Sequence, residues 1–286
     1  MAYDKVLIQN FSSTISKYET SNLAELLETH NISPAQFKQI VISEVKRTPK
    51  MQEAFLNDPA SLFGSILHCA ELGLNPSAMM GEFYFIPFKK SIKPILGYKG
   101  LLTLLLRSGE INAIFSEIVY EGDDFEFEYG LEPKLIHKPQ LEKRTPIIKY
   151  VYAVAKLKNG ENLFKVMSKA EILSIADMTQ YPNDLFFNTK KDPQMWMAKK
   201  TVLKQLGKLL PKDYYGKKGF SMDDNIESGS YLKLDEENNL VVVDGKKIAP
   251  TRNKSVYANL ETDEENLETE QITLSLESDE NNASDS

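Results

Sequence analysis

The sequence is poor in the residues that most catalytic chemistry needs. It has one cysteine, Cys69, and three histidines, His30, His68 and His137, in 286 residues. A lone thiol forms no internal disulfide and points to a reducing compartment. No zinc-ligand spacing joins the scattered histidines to Cys69. No Walker-type phosphate loop or G-x-S-x-G elbow occurs, which disfavours an ATP-driven recombinase or helicase. No apolar run reaches membrane-spanning length, since ILGYKGLLTLLL is interrupted by Lys99. The first residues, MAYDKVLIQN, lack the charged-then-apolar pattern of a signal peptide. The expectation is a cytoplasmic protein with no membrane partner.

Aromatic residues, by contrast, are plentiful: 13 Tyr and 14 Phe, with 42% hydrophobic residues, are ample for a core. The net charge of −7 conceals an asymmetry. Residues 1–218 hold 29 Lys+Arg and 24 Asp+Glu, a surplus of +5; the remainder holds 5 and 17, a deficit of −12. A mildly basic body carries a strongly acidic tail, the pattern of a body that meets a polyanion. Three regions follow: a mildly basic body over 1–218, a linker or small element over 219–259, and an acidic disordered tail over 260–286.

Local signals predict an α+β fold, with a helical N-terminal layer and a central antiparallel sheet flanked by helices. Helices are expected to open at Asn22, at Ser33-Pro34 and at Asp58-Pro59, each a capping residue before an apolar stripe. Phe83–Phe88 and Ile92–Leu96 read as paired strands, followed by an apolar helix over Leu101–Arg107. Residues from Ile111 to Tyr129 alternate in β fashion, with Phe125, Phe127 and Tyr129 facing one way. Asn159-Gly160 marks a hairpin. Ser168 with Glu171 opens a helix by a capping box. The last strong helix is expected over Pro193–Leu210. Leu240–Val243 with Asp244-Gly245 is read as a small hairpin.

Two stretches concentrate positive charge. On the last strong helix, Lys200, Lys204 and Lys208 fall on one edge, spaced about 6 Å apart along the axis, close to the phosphate spacing of a stretched strand. Lys199 falls inside the apolar arc, where it must snorkel, pair with an acid or reach a ligand. Lys190 and Lys191 extend the charge before the helix. The other stretch is Gly81–Gly109. Lys89, Lys90 and Lys93 cluster on its hairpin, and Tyr98 and Lys99 sit at a Gly-Tyr-Lys-Gly corner where a strand gives way to a helix. Glycines there let a phosphate approach backbone N–H groups. Arg107 follows near the helix end. Core packing is the expected role of Phe83 and Trp196.

Six blocks in one collinear order resemble the RecT family of phage single-strand annealing proteins, which is related more distantly to lambda Red beta. They are LGLNPSAMMGEFYFIPF (72–88), ILGYKGLLTLLLRSGEI (95–111), VYEGDDFEFEYGLEPKLIHKP (119–139), YVYAVAKLKNG (150–160), FKVMSKAEI (164–172) and WMAKKTVLKQLGKLLP (196–211). The resemblance implies binding and annealing of complementary single strands without ATP or catalysis in phage-type recombination, inside a bacterial host cell. It implies self-assembly into rings or helical filaments. It further implies a partner phage exonuclease and the host single-strand-binding protein, contacted by the C-terminal part. Annealed duplex is the product held. No cofactor is expected, with Mg²⁺ at most a modulator. The DNA-binding residues expected are Lys89, Lys90, Lys93, Tyr98, Lys99, Arg107, Lys190, Lys191, Lys199, Lys200, Lys204 and Lys208. Two alternatives stand beside this: a metal-dependent nuclease using the 121–128 carboxylates, and an acidic interaction scaffold.

Overall fold

Three N-terminal helices begin with one device. A short polar side chain accepts a backbone N–H, and a proline with its φ already helical follows. The computed structural model, which describes residues 23–142, 145–179, 186–227, 231–234 and 240–243, shows this at Ser33-Pro34, Thr48-Pro49 and Asp58-Pro59. These open α2 (Pro34–Lys46), α3 (Pro49–Asn57) and α4 (Pro59–Glu71), after a short α1 (Leu23–Thr29). Helix α3 escaped the sequence reading although Thr48-Pro49 carries the same signal; Met51 accordingly donates its N–H to Thr48 Oγ1 at 3.2 Å. The cap expected at Asn22 lies outside the described residues. Phe37, Val41, Met51, Phe55, Leu62 and Ile66 bury the inward faces of this layer.

The chain then forms a hairpin, β1 (Phe83–Phe88) and β2 (Ser91–Leu96), with Phe88 opposite Ser91 across a two-residue turn. Phe83 and Phe85 point into the core against α4, and Tyr84 faces the other way. Helix α5 (Tyr98–Leu106) follows directly, starting three residues earlier than expected. Strands β3 (Ile111–Tyr120), β6 (Ile148–Leu157) and β7 (Asn162–Ser168) form an antiparallel sheet in the order β3-β6-β7. The Asn159-Gly160 turn joins β6 to β7 as expected. The long alternation from Ile111 to Tyr129 breaks at Gly122-Asp123, because Asp123 turns back to accept the Tyr120 N–H at 2.9 Å. The remainder becomes β4 (Asp124–Glu128), paired with β5 (Lys134–Lys138).

Each face of the main sheet has its own cover. Val151, Ala153, Ala155 and Met167 join the main core, across which helix α7 (Trp196–Gly207) lays Ala198, Val202, Leu203 and Leu206. Helix α6 (Lys169–Asp177) docks beside it from the Ser168–Glu171 capping box. On the opposite face Val119, Tyr152 and Val166 form a second cluster under Phe125 and Leu135 of the β4–β5 hairpin. The molecule is α+β, as expected.

The last part differs from expectation. Helix α8 (Tyr214–Glu227) runs through Lys218, so the packed body does not stop there. Leu240–Val243 pairs with the preceding Tyr231–Leu234, and Asp244-Gly245 lies outside the described residues. These two strands complete the described chain; the second compact unit, residues 248–286, and with it the tail over 260–286, lies outside the described residues. Among the described residues no helix is long and apolar enough to cross a membrane.

Candidate nucleic-acid interface

The Gly-Tyr-Lys-Gly corner exists because two backbones must touch there. Gly97 donates its N–H to Glu82 O at 2.8 Å. A Cβ on Gly97 would meet Gly81 O at 2.2 Å, and one on Gly100 would meet Glu82 O at the same distance. Neither obstacle is a flexible side chain, so neither can move aside cheaply. Gly97→Ala is therefore expected to destabilise the fold by at least ~1–3 kcal/mol, the usual range for overpacking. A thermal melt falling by several degrees checks this; an unchanged melt would show that the corner relaxes freely.

The glycines hold the first turn of α5 against the base of the β1–β2 hairpin. A groove of about 830 Å³ opens there. One wall is the hairpin, with Tyr84, Phe88 and Lys93. The floor is Gly97, Tyr98 and Lys99. The other wall is the entry to α7, with Lys191, Gln194, Trp196 and Lys200. Gly97 caps α5 without a side-chain hydrogen bond, leaving that helix end open to the groove. Tyr98 and Trp196 are tilted partners with ring centroids 5.0 Å apart, and Lys199 Nζ stands 5.7 Å from the Trp196 centroid. Trp196 is 38% exposed, so it is a groove wall and not the core residue expected. Phe83 is wholly buried, as expected.

The entry to α7 is built locally. Asp192 is buried and accepts the Met197 N–H at 2.9 Å, capping a helix whose preceding residue, Met195, sits at φ 56. The helix thus begins at Trp196 instead of Pro193. Asn188 Oδ1 accepts the N–H groups of Lys190 and Lys191 at 3.0 and 3.1 Å, which fixes the turn presenting those two exposed lysines.

Two of the expected lysines are placed otherwise. Lys200 and Lys204 are 5% and 3% exposed, not on a solvated stripe. Helix α8 covers them with Asp223, whose oxygens lie 3.3 Å from Lys200 Nζ and 2.7 Å from Lys204 Nζ. Lys204 also pairs with Asp224 at 2.9 Å. A lysine is buried in this way only when paired. Burial alone would raise the Asp223 pKa, but the two ammonium groups outweigh it and hold the carboxyl below its ordinary range. Lys208, half exposed, stands 3.7 Å from Asp224. The wheel that set these lysines on one edge was right; the missing information was α8, which the sequence reading did not find.

Arg107 also has a structural position. Its guanidinium reaches the carbonyls of Leu72 and Gly73, the latter at 2.5 Å, closing the C-terminal end of α4. Lys199 pairs with Glu117 at 3.2 Å, one of the outcomes its place in the apolar arc demanded. Lys93 is buried beneath the hairpin, 4.3 Å from the Phe88 ring centroid; burial, then the charge of Lys89, lowers its pKa. Lys89 and Lys90 are exposed at the hairpin tip, and Lys89 takes a left-handed φ of 55. The groove thus brings together Lys93, Tyr98, Lys99, Lys191 and Lys200 with Lys199 at its margin, and leaves Lys89, Lys90, Arg107, Lys190, Lys204 and Lys208 outside its lining. Tyr84, Phe88 and Gln194 were missed; alternation in β1 could have flagged Tyr84, opposite the buried Phe83 and Phe85.

The 121–128 carboxylates serve the fold. Glu121 pairs with Lys149 at 3.1 Å, Asp124 with Lys138 at 3.0 Å and Glu128 with Lys134 at 3.7 Å. Asp123 is held by the Tyr120 and Gln140 N–H groups and by His137. Among the described residues no three His, Cys, Asp or Glu side chains converge to hold a metal.

The RecT family model matches residues 35–231. Protein RecT of Escherichia coli strain K12 is 34% identical over 210 residues, covering 71% of this chain and 75% of that protein. The family match contains every element that lines the groove and reaches past α8.

Proposed function

The chain belongs to the RecT family, and from that premise we propose that it binds single-stranded DNA in the β1–α5–α7 groove and anneals it to a complementary strand without ATP. The observation that carries this reading is the pairing of Tyr98 with Trp196 in a groove whose charged lining is mostly lysine. Flat rings accept bases of any sequence by stacking. Lysines hold phosphates without reading sequence. No covalent step is needed, so no catalytic residue is invoked.

The strand's backbone runs past Lys99 and Lys191, with the hairpin tip lysines Lys89 and Lys90 gripping it from one side. A glycine or asparagine would suit the left-handed position of Lys89 better; a lysine there fits a demand for charge. Lys200 belongs to the groove wall, with its buried ammonium held by Asp223. Annealing brings a second polyanion to the first. Many weak lysine contacts repeated along an oligomer neutralise that charge, so self-assembly on the strand belongs to the same mechanism. A partner exonuclease that supplies single strands, and a host single-strand-binding protein, complete the proposed set of partners.

One experiment tests both activity and site. Two labelled complementary strands are mixed with protein, with and without ATP and Mg²⁺, and resolved on a gel. Full-length annealed product independent of ATP is expected, whereas strand shortening that requires Mg²⁺ would replace annealing with nuclease action. Lys99→Glu with Lys191→Glu is expected to slow annealing and reduce the salt slope of single-strand binding by about 1.4, at ~0.7 per lost phosphate contact. Both side chains are exposed, so the melting temperature should hold. An unchanged salt slope would take the strand out of this groove.

A further inference from the structure

Beside the groove lies a second pocket of about 500 Å³, lined among others by Glu117, Tyr120, His137, Tyr152, Gln194 and Lys199. Gln194 lines both spaces, and Lys199 stands over Trp196, so the pocket begins where the stacking pair ends. Its polar groups have an unusual balance for a nucleic-acid site. Glu117, half exposed, puts a carboxylate in the wall, only partly neutralised by Lys199. A phosphate would be repelled there. The edge of a base would not.

Two of the remaining polar side chains, His137 and Tyr152, are oriented by a chain of hydrogen bonds. Asp123 is fixed by the N–H groups of Tyr120 and Gln140. A carboxylate can only accept, so in the neutral imidazole the His137 Nε2–H donates to Asp123, at 3.1 Å. Nδ1 is then the acceptor, and the Tyr152 hydroxyl donates to it at 3.2 Å. Burial, then the charge of Glu117, raises the Tyr152 pKa and keeps the phenol neutral. With its hydrogen committed to His137, the Tyr152 oxygen offers only lone pairs. Glu117 and Tyr152, cross-strand partners on β3 and β6, thus both accept, and this side of the pocket calls for a hydrogen-bond donor.

Resting on the groove reading above, we propose that this pocket reads the exocyclic amino group of cytosine or adenine in the bound strand, with Glu117 and the Tyr152 oxygen as acceptors. Each such amino group has two hydrogens. Pairing uses one, and the other points to the major-groove edge. The contact therefore survives annealing and does not compete with it. Thymine and guanine place a carbonyl oxygen at that edge, which a carboxylate repels.

The test compares binding of the full chain to oligo(dC) and oligo(dT) of equal length, by fluorescence anisotropy at slightly alkaline pH, where cytosine stays unprotonated. Wild-type protein is expected to favour oligo(dC) about 5- to 10-fold, the lower part of the range for one good base contact. Glu117→Gln supplies an amide that both donates and accepts. It should bring the ratio close to one while raising affinity for both oligonucleotides, because a negative charge leaves the site. Tyr152→Phe should lower the ratio without changing charge. No preference in the wild type, or the same preference in Glu117→Gln, overturns the base contact. If neither oligonucleotide binds, the groove reading fails instead; equal, tight binding that still depends on Lys99 and Lys191 sinks the base contact alone.

Discussion

Asp223→Asn is expected to cost about 3–5 kcal/mol of stability, the usual penalty for removing one partner of a buried ion pair. A loss of that size lowers the melting temperature by on the order of 10 °C in a domain of this size. The magnitude follows from the geometry at the α7–α8 contact. Two ammonium groups, on Lys200 and Lys204, share one carboxylate that is 1% exposed. An asparagine removes the shared charge from a place where water cannot replace it; Asp224 remains beside Lys204 at 2.9 Å. Charge reversal of both lysines is expected to be worse, since it crowds carboxylates around Asp223 and should yield no soluble folded protein. The control is Lys200→Met, Lys204→Met and Asp223→Leu together. Replacing a buried ionic set by apolar side chains of similar volume is often close to neutral, so this variant should recover most of the melting temperature. Recovery by neither route, with Asp223→Asn melting like wild type, would mean the cluster adds nothing to stability. The pH dependence has a definite sign. The folded-state pKa of Asp223 lies below its unfolded value. Its contribution is therefore fully present above the unfolded aspartate pKa of about 3.9 and is lost as pH falls through the lower folded value.

Trp196→Ala is expected to weaken single-strand binding about 5- to 150-fold, the equivalent of ~1–3 kcal/mol for one stacked base. Trp196 is partly exposed and meets Tyr98 and Lys199 rather than the main core. The substitution should leave the melting temperature within a degree or two. Trp196→Phe, which keeps a flat ring, should retain most of the affinity. The chain has a single tryptophan, so its fluorescence reports on this one position. Saturating oligo(dT) should quench it if a base stacks on the indole. Undiminished fluorescence at full occupancy would place the bases elsewhere.

The sequence was most informative where structure is local. The Ser33-Pro34 and Asp58-Pro59 helix starts, the Asn159-Gly160 hairpin and the Ser168–Glu171 capping box each depend on a few adjacent residues, and each is present. The groove's hairpin and corner were legible for the same reason. What could not be read was set by partners distant in the chain. Lys200 and Lys204 have the spacing of an exposed stripe, and only the return of α8 buries them. Arg107 sits near the end of its own helix, yet its guanidinium serves the end of α4. Trp196 looked like core because its helix is apolar; the cap supplied by Asp192 turns the first residue of that helix into the groove. Helix α8 itself was missed because Tyr214–Glu227 mixes glycines, lysines and acids without a clear apolar stripe, and it packs chiefly through Phe220, Met222 and Asp223.

The position of Asp223 also sets when the protein becomes competent during its synthesis. The hairpin and the Gly97–Gly100 corner leave the ribosome early and carry local instructions for their own shape. The opposite wall of the groove comes much later, on α7. Asp223, which meets Lys200 Nζ at 3.3 Å, comes later still, on α8. A growing chain that ends before Asp223 holds every lysine of the groove but lacks the carboxylate that meets Lys200. The groove wall is therefore completed only when the last described helix has been made.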